Sequence, residues 1–288
     1  IRYSKTKMLI LLTVFCIILF VILDIIFSNS VLQITEYEIC TEKLDNNIKV
    51  VHLTDIHNNE FGKNNEKLVE KIKAQKPDIV CITGDLINMH SDDTTVATNL
   101  IEELSLLFPV FISFGNHESQ YQNLKKADLK NIFEDAGAIV LDFTYEDIEI
   151  RGTKLRIGGF YGYGFAEDHE VARDNESYFL NEFQDTDRYK ILLAHMPFSW
   201  YHGESLDYWN IDLVLSGHTH GGQIRLPFLG GLYASDIGWF PGRECGIYYS
   251  QNENSVMVLS RGLGSTEIVP RFNNLTENVV IELTNGRE

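Results

Sequence analysis

The stretch IDLVLSGHTHGGQ, residues 211–223, runs from an apolar strand candidate straight into two histidines bounded by glycines. Side chains alternate along a strand with period two, so His218 and His220 would share one face. Two imidazoles on one face, at the end of a buried strand, read as a pair of metal ligands. Taken alone, an H-x-H pair reads equally well as a polar turn, and the rest of the chain has to decide between them.

The same pattern recurs upstream. IKVVHLT (48–54) leads into Asp55 and His57, and DIVCIT (78–83) into Gly84 and Asp85. PVFISF (109–114) leads into Asn116 and His117, and YKILLA into His195. Lys63–Gln75, Thr94–Leu107 and Leu124–Ala136 have helical spacing between these runs. Strands alternating with helices imply a mostly parallel sheet, whose ligand crevice lies beyond the carboxyl ends of its strands. Separate loops therefore bring carboxylates, an amide and imidazoles to one rim. After residue 137 the pattern changes. AIVLDFTYEDIEIRGTKLRIGGF has hairpin spacing, and VMVLSRG (256–262) and NVVIEL (278–283) add strand candidates. One domain with two stacked sheets is the simplest reading.

The ordered set D-x-H, G-D, G-N-H-E, H and G-H-x-H resembles that of the calcineurin-like metallophosphoesterase superfamily, from about residue 48 to 283. GHTHGGQIRLPFLGG and the later SRGLG further resemble a membrane-associated or exported bacterial branch with phosphodiesterase-like members. The tail departs from that branch, reading NNLTEN where an arginine-proline-glutamate run is frequent. The resemblance implies an α/β fold, an αββα sandwich of two mixed sheets flanked by helices, and a site for two divalent metals. It also implies that Asp55, His57, Asp85 and His220 hold one metal, and Asp85, Asn116, His195 and His218 the other.

The chemistry agrees. Ions about 3.5–4 Å apart need a shared ligand, and a carboxylate such as Asp85 can offer one oxygen to each. Mixed imidazole and oxygen ligation suits Mn, Fe, Zn or Co and is too rich in nitrogen for Ca. Such a pair generates a hydroxide nucleophile near neutral pH and neutralises phosphoryl oxygens during in-line displacement. His117, left without a metal, is expected on the leaving-group side as general acid or electrostatic stabiliser.

The expected activity is hydrolysis of a phosphodiester or pyrophosphate, on a small or lipid-linked substrate. A phosphomonoesterase or protein phosphatase is the alternative. A non-catalytic scaffold on the same fold is disfavoured because every ligand position is filled. Arg225 is the candidate substrate contact, since a guanidinium fork suits phosphate oxygens. In LPFLGGLYASDIGWF (226–240), Phe228, Tyr233, Trp239 and Phe240 read as core packing by default. Lying over the site and near a bilayer, the same loop would receive an acyl or prenyl chain, or touch lipid.

Met8–Phe27 is apolar on every face with a single charge, Asp24, and is just long enough to cross a hydrocarbon core of roughly 30 Å. Arg2, Lys5 and Lys7 precede it, and Glu36, Glu38 and Glu42 follow it before Lys43. That asymmetry predicts a single-pass cell-membrane protein with its catalytic part outside the cytoplasm. Ser28–Ser30 is a poor cleavage site, which favours an uncleaved anchor over a signal peptide. The expected organisation is a cytoplasmic stub and transmembrane anchor (1–30), a linker (31–47) and a catalytic domain (48–288). A net charge of −17 disfavours nucleic-acid binding, which needs a basic surface. Cys16, Cys40, Cys81 and Cys245 form no C-x-x-C pair, and spacing alone cannot establish a Cys40–Cys245 bond.

Overall fold

Short runs of Val, Ile and Leu with both faces covered form the middle of the molecule. The computed structural model describes residues 2–202, 204–266 and 269–286. In chain order the elements are α1 (Arg2–Ser30), β1 (Leu32–Thr41), β2 (Ile48–Leu53), α2 (Glu66–Gln75), β3 (Ile79–Thr83) and α3 (Thr95–Ser105). Then come β4 (Val110–Ser113), α4 (Asn116–Lys125), α5 (Leu129–Asp135), β5 (Ile139–Leu141), β6 (Thr144–Ile150), β7 (Thr153–Phe160) and α6 (Asp174–Gln184). The remainder is mostly strand: β8 (Tyr189–Ala194), β9 (Leu213–Ser216), the two-residue pieces β10 (Arg225–Leu226), β11 (Gly230–Gly231), β12 (Tyr233–Ala234) and β13 (Gly238–Trp239), and finally β14 (Gly246–Tyr249), β15 (Val256–Leu259) and β16 (Thr276–Asn285).

The strands make two mixed six-stranded sheets, ordered β1-β16-β2-β3-β4-β5 and β14-β15-β9-β8-β7-β6. Alternation along β2 shows how they stack. Ile48 and Val50 enter the core between the sheets, with Phe111, Ile191 and Ile281. Val51 and Leu53 face the other way, onto Leu68 and Ile72 of α2 and Leu100 and Leu104 of α3. Phe179 and Phe183 of α6, with Trp200 and Trp209, cover the far face of the second sheet. The layers are helix, sheet, sheet, helix, the αββα sandwich that the sequence implies. The central strands are apolar on both sides because both sides are covered.

Three local expectations are corrected. Residues 31–47 are not a plain linker: β1 pairs in parallel with β16 from Leu32↔Thr276 to Thr41↔Asn285. The helix expected over Leu124–Ala136 is two helices, because Lys126 takes a left-handed conformation (φ 55°) and Asp128 caps α5 by accepting the Asn131 N–H at 3.2 Å. The helix expected from Lys63 starts as a single tight turn, with Asn64 left-handed, before α2 proper. All four cysteines are free thiols. α1, with its apolar side chains exposed, is long and apolar enough to cross a membrane. The strand ends that carry the chemistry lie along one edge of the sandwich, where β2, β3, β4, β8 and β9 all terminate.

Candidate metal centre

The loops after these strands turn sharply. Asp55, His57, Asp85, His218 and His220 all hold positive φ, between 48° and 71°. A left-handed conformation costs a non-glycine residue about 1–2 kcal/mol, so surrounding contacts must hold each in place. Backbone packing supplies part of that. A Cβ on Gly84 would lie 2.2 Å from the Gly115 nitrogen, and one on Gly115 2.2 Å from Asp85 Oδ1. Only glycines let the loops after β3 and β4 approach this closely.

Hydrogen bonds fix which ring nitrogen of each histidine carries the proton. The His57 Nδ1–H donates to Asn88 Oδ1 (2.9 Å), and the Asn88 amide donates back to the His57 carbonyl (3.1 Å). The His195 Nδ1–H donates to the Thr83 carbonyl (2.6 Å), and the His220 Nδ1–H to that of Gly264 (3.3 Å). Each ring therefore turns a bare Nε2 inward. His57 Nε2 faces His220 Nε2 at 3.2 Å and Asp85 Oδ2 at 3.6 Å. His220 Nε2 lies 3.4 Å from Asp55 Oδ1, and His195 Nε2 3.3 Å from Asp85 Oδ2. Lone pairs converging on lone pairs repel unless a cation lies between them. The donor set, imidazole nitrogens with carboxylate oxygens, therefore fits a divalent transition metal.

The candidates form three overlapping groups. Potential ligand atoms of Asp55, His57 and His220 lie within 4.8 Å of one another, as do those of Asp85, His195 and His218, and those of His57, Asp85 and His117. Asn116 joins the second group, its Oδ1 3.0 Å from His218 Nδ1. Asp85 lies between the groups. A single oxygen, Oδ2, faces His57 and His195, because Oδ1 accepts the His117 backbone N–H at 2.9 Å. Oδ2 thus faces both groups, where the sequence reading has Asp85 offer one oxygen to each ion.

Electrostatics follow the geometry. Burial opposes ionisation of Asp55 and Asp85, yet the histidines around them hold both below the usual carboxylate range. Burial pulls His195 down, but the charge and hydrogen bond of Asp85 carry its pKa up to about 10. At His220 burial wins and the pKa falls to about 3.

His117 stands at the edge of this cluster, its ring edge-on to His57 with centroids 4.5 Å apart. Its Nδ1 accepts the Met89 N–H at 3.1 Å, so the neutral ring keeps its proton on Nε2. Burial first, opposed by Asp85, lowers its pKa. Arg225 is not aimed at the cluster. Its guanidinium bonds the Gly221 carbonyl (2.9 Å) and pairs with Glu244 (3.1 Å), strapping the glycine turn to the chain near Cys245.

Two residues beyond the expected set shape the site. Buried Glu118 accepts backbone N–H groups of Asp85 (2.7 Å), Leu86 (2.8 Å), Ile87 (3.2 Å) and Gly115 (2.9 Å), locking the loops after β3 and β4 together. Burial and then the Asp85 charge push its pKa up to about 7 against those bonds. It is the third residue of α4, a capping position that G-N-H-E already displays. Asp236 accepts the His218 Nε2–H at 3.1 Å and the Tyr163 hydroxyl at 2.9 Å, leaving the His218 Nδ1 lone pair beside Asn116. Nothing in its sequence neighbourhood signals this.

Comparison with known proteins identifies the family. The sequence profile of the calcineurin-like phosphoesterase family matches residues 48–222. An uncharacterised metallophosphoesterase of Campylobacter jejuni is 32% identical over 79% of this chain and 60% of its own length. One from Aquifex aeolicus is 31% identical over 67% of this chain and 71% of its own, and one from Bacillus subtilis 27% identical over 62% and 63%. The chain thus spans about three fifths of the length of the Campylobacter and Bacillus relatives. A solved protein of Thermus thermophilus aligns over 75% of this chain and 90% of its own, with 16% identity and a TM-score of 0.46. The family profile falls on the strand-end loops that carry Asp55, His57, Asp85, Asn116, His195, His218 and His220, and the chain belongs to the calcineurin-like phosphoesterase family.

Proposed function

We propose that this chain is a metal-dependent phosphoester hydrolase with two divalent ions, anchored in a membrane by α1. The observation that carries the reading is the convergence of bare imidazole nitrogens and carboxylate oxygens, with Asp85 Oδ2 facing both groups. In this reading Asp55, His57, Asp85 and His220 hold one ion, and Asp85, Asn116, His195 and His218 the other. When bound, the ions activate water and neutralise phosphoryl oxygens. Thr83, Asn88, Gly264 and Asp236 hold the histidines in the tautomers that keep lone pairs inward. His117 presents its Nε2–H to the leaving-group oxygen and protonates or stabilises it.

A diester, which is a monoanion, is favoured over a monoester. Asp236 adds negative charge at His218, and the guanidinium of Arg225 is held by Glu244, so neither helps the ions offset a dianionic monoester. A lipid-linked substrate agrees with α1, and the charges flanking Met8–Phe27 favour an extracytoplasmic catalytic part. The test is metal content of the detergent-solubilised full chain, with its rates on a diester and a monoester of the same phenol. About two ions per chain and a faster diester are expected. A metal-free protein with undiminished activity would sink the proposal.

A further inference from the structure

α1 is bolted to the catalytic part rather than tethered to it. Asp24, the one charge in the apolar run, accepts the backbone N–H of Asn273 at 2.6 Å. Buried Ser28 accepts that of Asn274 at 3.3 Å, and Asn29 accepts the Ser265 hydroxyl. Phe20 packs edge-on against Phe272, with ring centroids 6.3 Å apart. A carboxylate in an apolar span is retained where a protein group satisfies it. The same few residues also touch the metal loop. The Asn274 amide donates to the carbonyls of His220 (2.7 Å) and Gln223 (3.0 Å), and the Asn273 amide to that of Arg225 (3.0 Å). The Arg225 N–H donates to the Phe272 carbonyl (3.0 Å). One short segment, 271–274, therefore joins the last turns of α1 to the metal centre.

A hairpin leaves from that junction. β10 begins at Arg225, and its tip carries Phe228, fully exposed, and Leu229, 64% exposed. Three residues of chain reach at most about 10 Å, so the tip stays close to the α1 junction. The β12–β13 hairpin beside it exposes Trp239 (69%) and Phe240 (54%). It is tied in by Leu232 N–H to Ile224 O (2.8 Å) and Phe240 N–H to Leu232 O (2.9 Å). Apolar side chains this exposed lose nothing in the domain by entering an apolar phase.

We propose that Phe228, Leu229, Trp239 and Phe240 enter the phospholipid bilayer that α1 spans, so that the metal centre works against the membrane face on a phosphoester whose apolar chain stays in the lipid. This rests on the anchor reading given above. Arg225 is paired with Glu244 and the chain carries a net charge of −17, so insertion is driven by apolar contact and needs no anionic headgroup.

Tryptophan supplies the test. Trp200 and Trp209 are buried (1% and 2% exposed), which leaves Trp239 as the exposed reporter. The full chain is reconstituted in phosphatidylcholine vesicles with brominated acyl chains. Bromine should quench Trp239, Trp239→Phe should remove that quenching, and adding Phe228→Trp to Trp239→Phe should restore it. Replacing Phe228 and Leu229 by Ser should slow hydrolysis of an acyl-bearing phosphodiester in these vesicles by about tenfold or more. The rate on a water-soluble aryl diester should stay unchanged. A chain that floats with the vesicles yet shows no quenching at either position overturns bilayer insertion and leaves the anchor standing. A chain that does not float overturns both. Equal loss on both substrates overturns the lipid role and assigns the tip to the site itself.

Discussion

The rim of the metal centre and the lip at residues 224–240 meet within a few residues of His220, yet they are built on opposite terms. Rim side chains leave strands buried on both faces, and backbone groups or the side chains of Asn88 and Asp236 fix them. The lip is made of two-residue strands whose largest side chains face outward. A rim of this kind tolerates left-handed strain because the strand ends beneath it cannot move. A lip of this kind can change its side chains without disturbing the fold. The two regions differ in how firmly their side chains are held, and the contrast can be broken at several points.

The largest effect belongs to Asp85→Asn. Without the shared carboxylate both ion positions weaken, and activity should fall by about a thousandfold or more, with metal lost from both groups. Elemental analysis beside initial rates checks this, and full activity in the variant would remove the two-ion mechanism. His117→Ala comes next. It should keep its metal and lose about 10²–10⁴ in kcat on an alkyl ester, and clearly less on a nitrophenyl ester, whose leaving group needs little protonation. Equal losses on the two esters, or loss of an ion, would move His117 out of the acid role.

Asp236→Ala lies where rim and lip meet. It removes the acceptor for the His218 Nε2–H and should weaken metal binding by about 10–100-fold, measured by competition with a chelator. Unchanged affinity would make Asp236 a lip residue only. Glu118→Gln should change rates least and instead alter how stability depends on pH. Folding raises the Glu118 pKa from 4.5 to about 7, so the folded chain holds a proton that the unfolded chain releases. The contribution of this group is complete below pH 4.5 and is lost as pH rises toward 7. Urea unfolding of metal-free protein should show the stability difference between this chain and Glu118→Gln moving against this chain as pH rises across that window. A difference that does not change with pH, or that moves in favour of this chain, would overturn the assignment.

The rim is legible in the sequence because its signals are local. Each ligand follows closely on an apolar run, and β2, β3, β4, β8 and β9 read as apolar because covered strands cannot read otherwise. β1 is hidden: LQITEYEICT lies at a sheet edge, where Glu36 and Glu38 interrupt the apolar pattern, so it reads as a linker. The break at Lys126 is hidden because no glycine or proline marks it. Arg225 misleads because a guanidinium is claimed by whichever carboxylate folding brings near it, here Glu244 from another loop. Asp236 acts through a contact that only the folded loop creates. That Asp85 Oδ2 alone faces His57 and His195 depends on where the His117 N–H points, which no spacing reveals.

The order β1-β16-β2 has a kinetic consequence. β1 and β2 are separated by a short loop, yet they never pair; the strand that joins them comes from residues 276–285. Until that segment emerges from the ribosome, β1 and β2 each present an open edge, while α1 has long since been available to the membrane. Closing the first sheet is therefore a late event of high contact order. Segment 271–274, which bolts α1 to the metal loop, immediately precedes β16 in the chain. Sheet closure, docking of α1 and completion of the metal centre should accordingly occur as one late step, and a nascent chain stalled before β16 would be membrane-bound, edge-exposed and prone to aggregate.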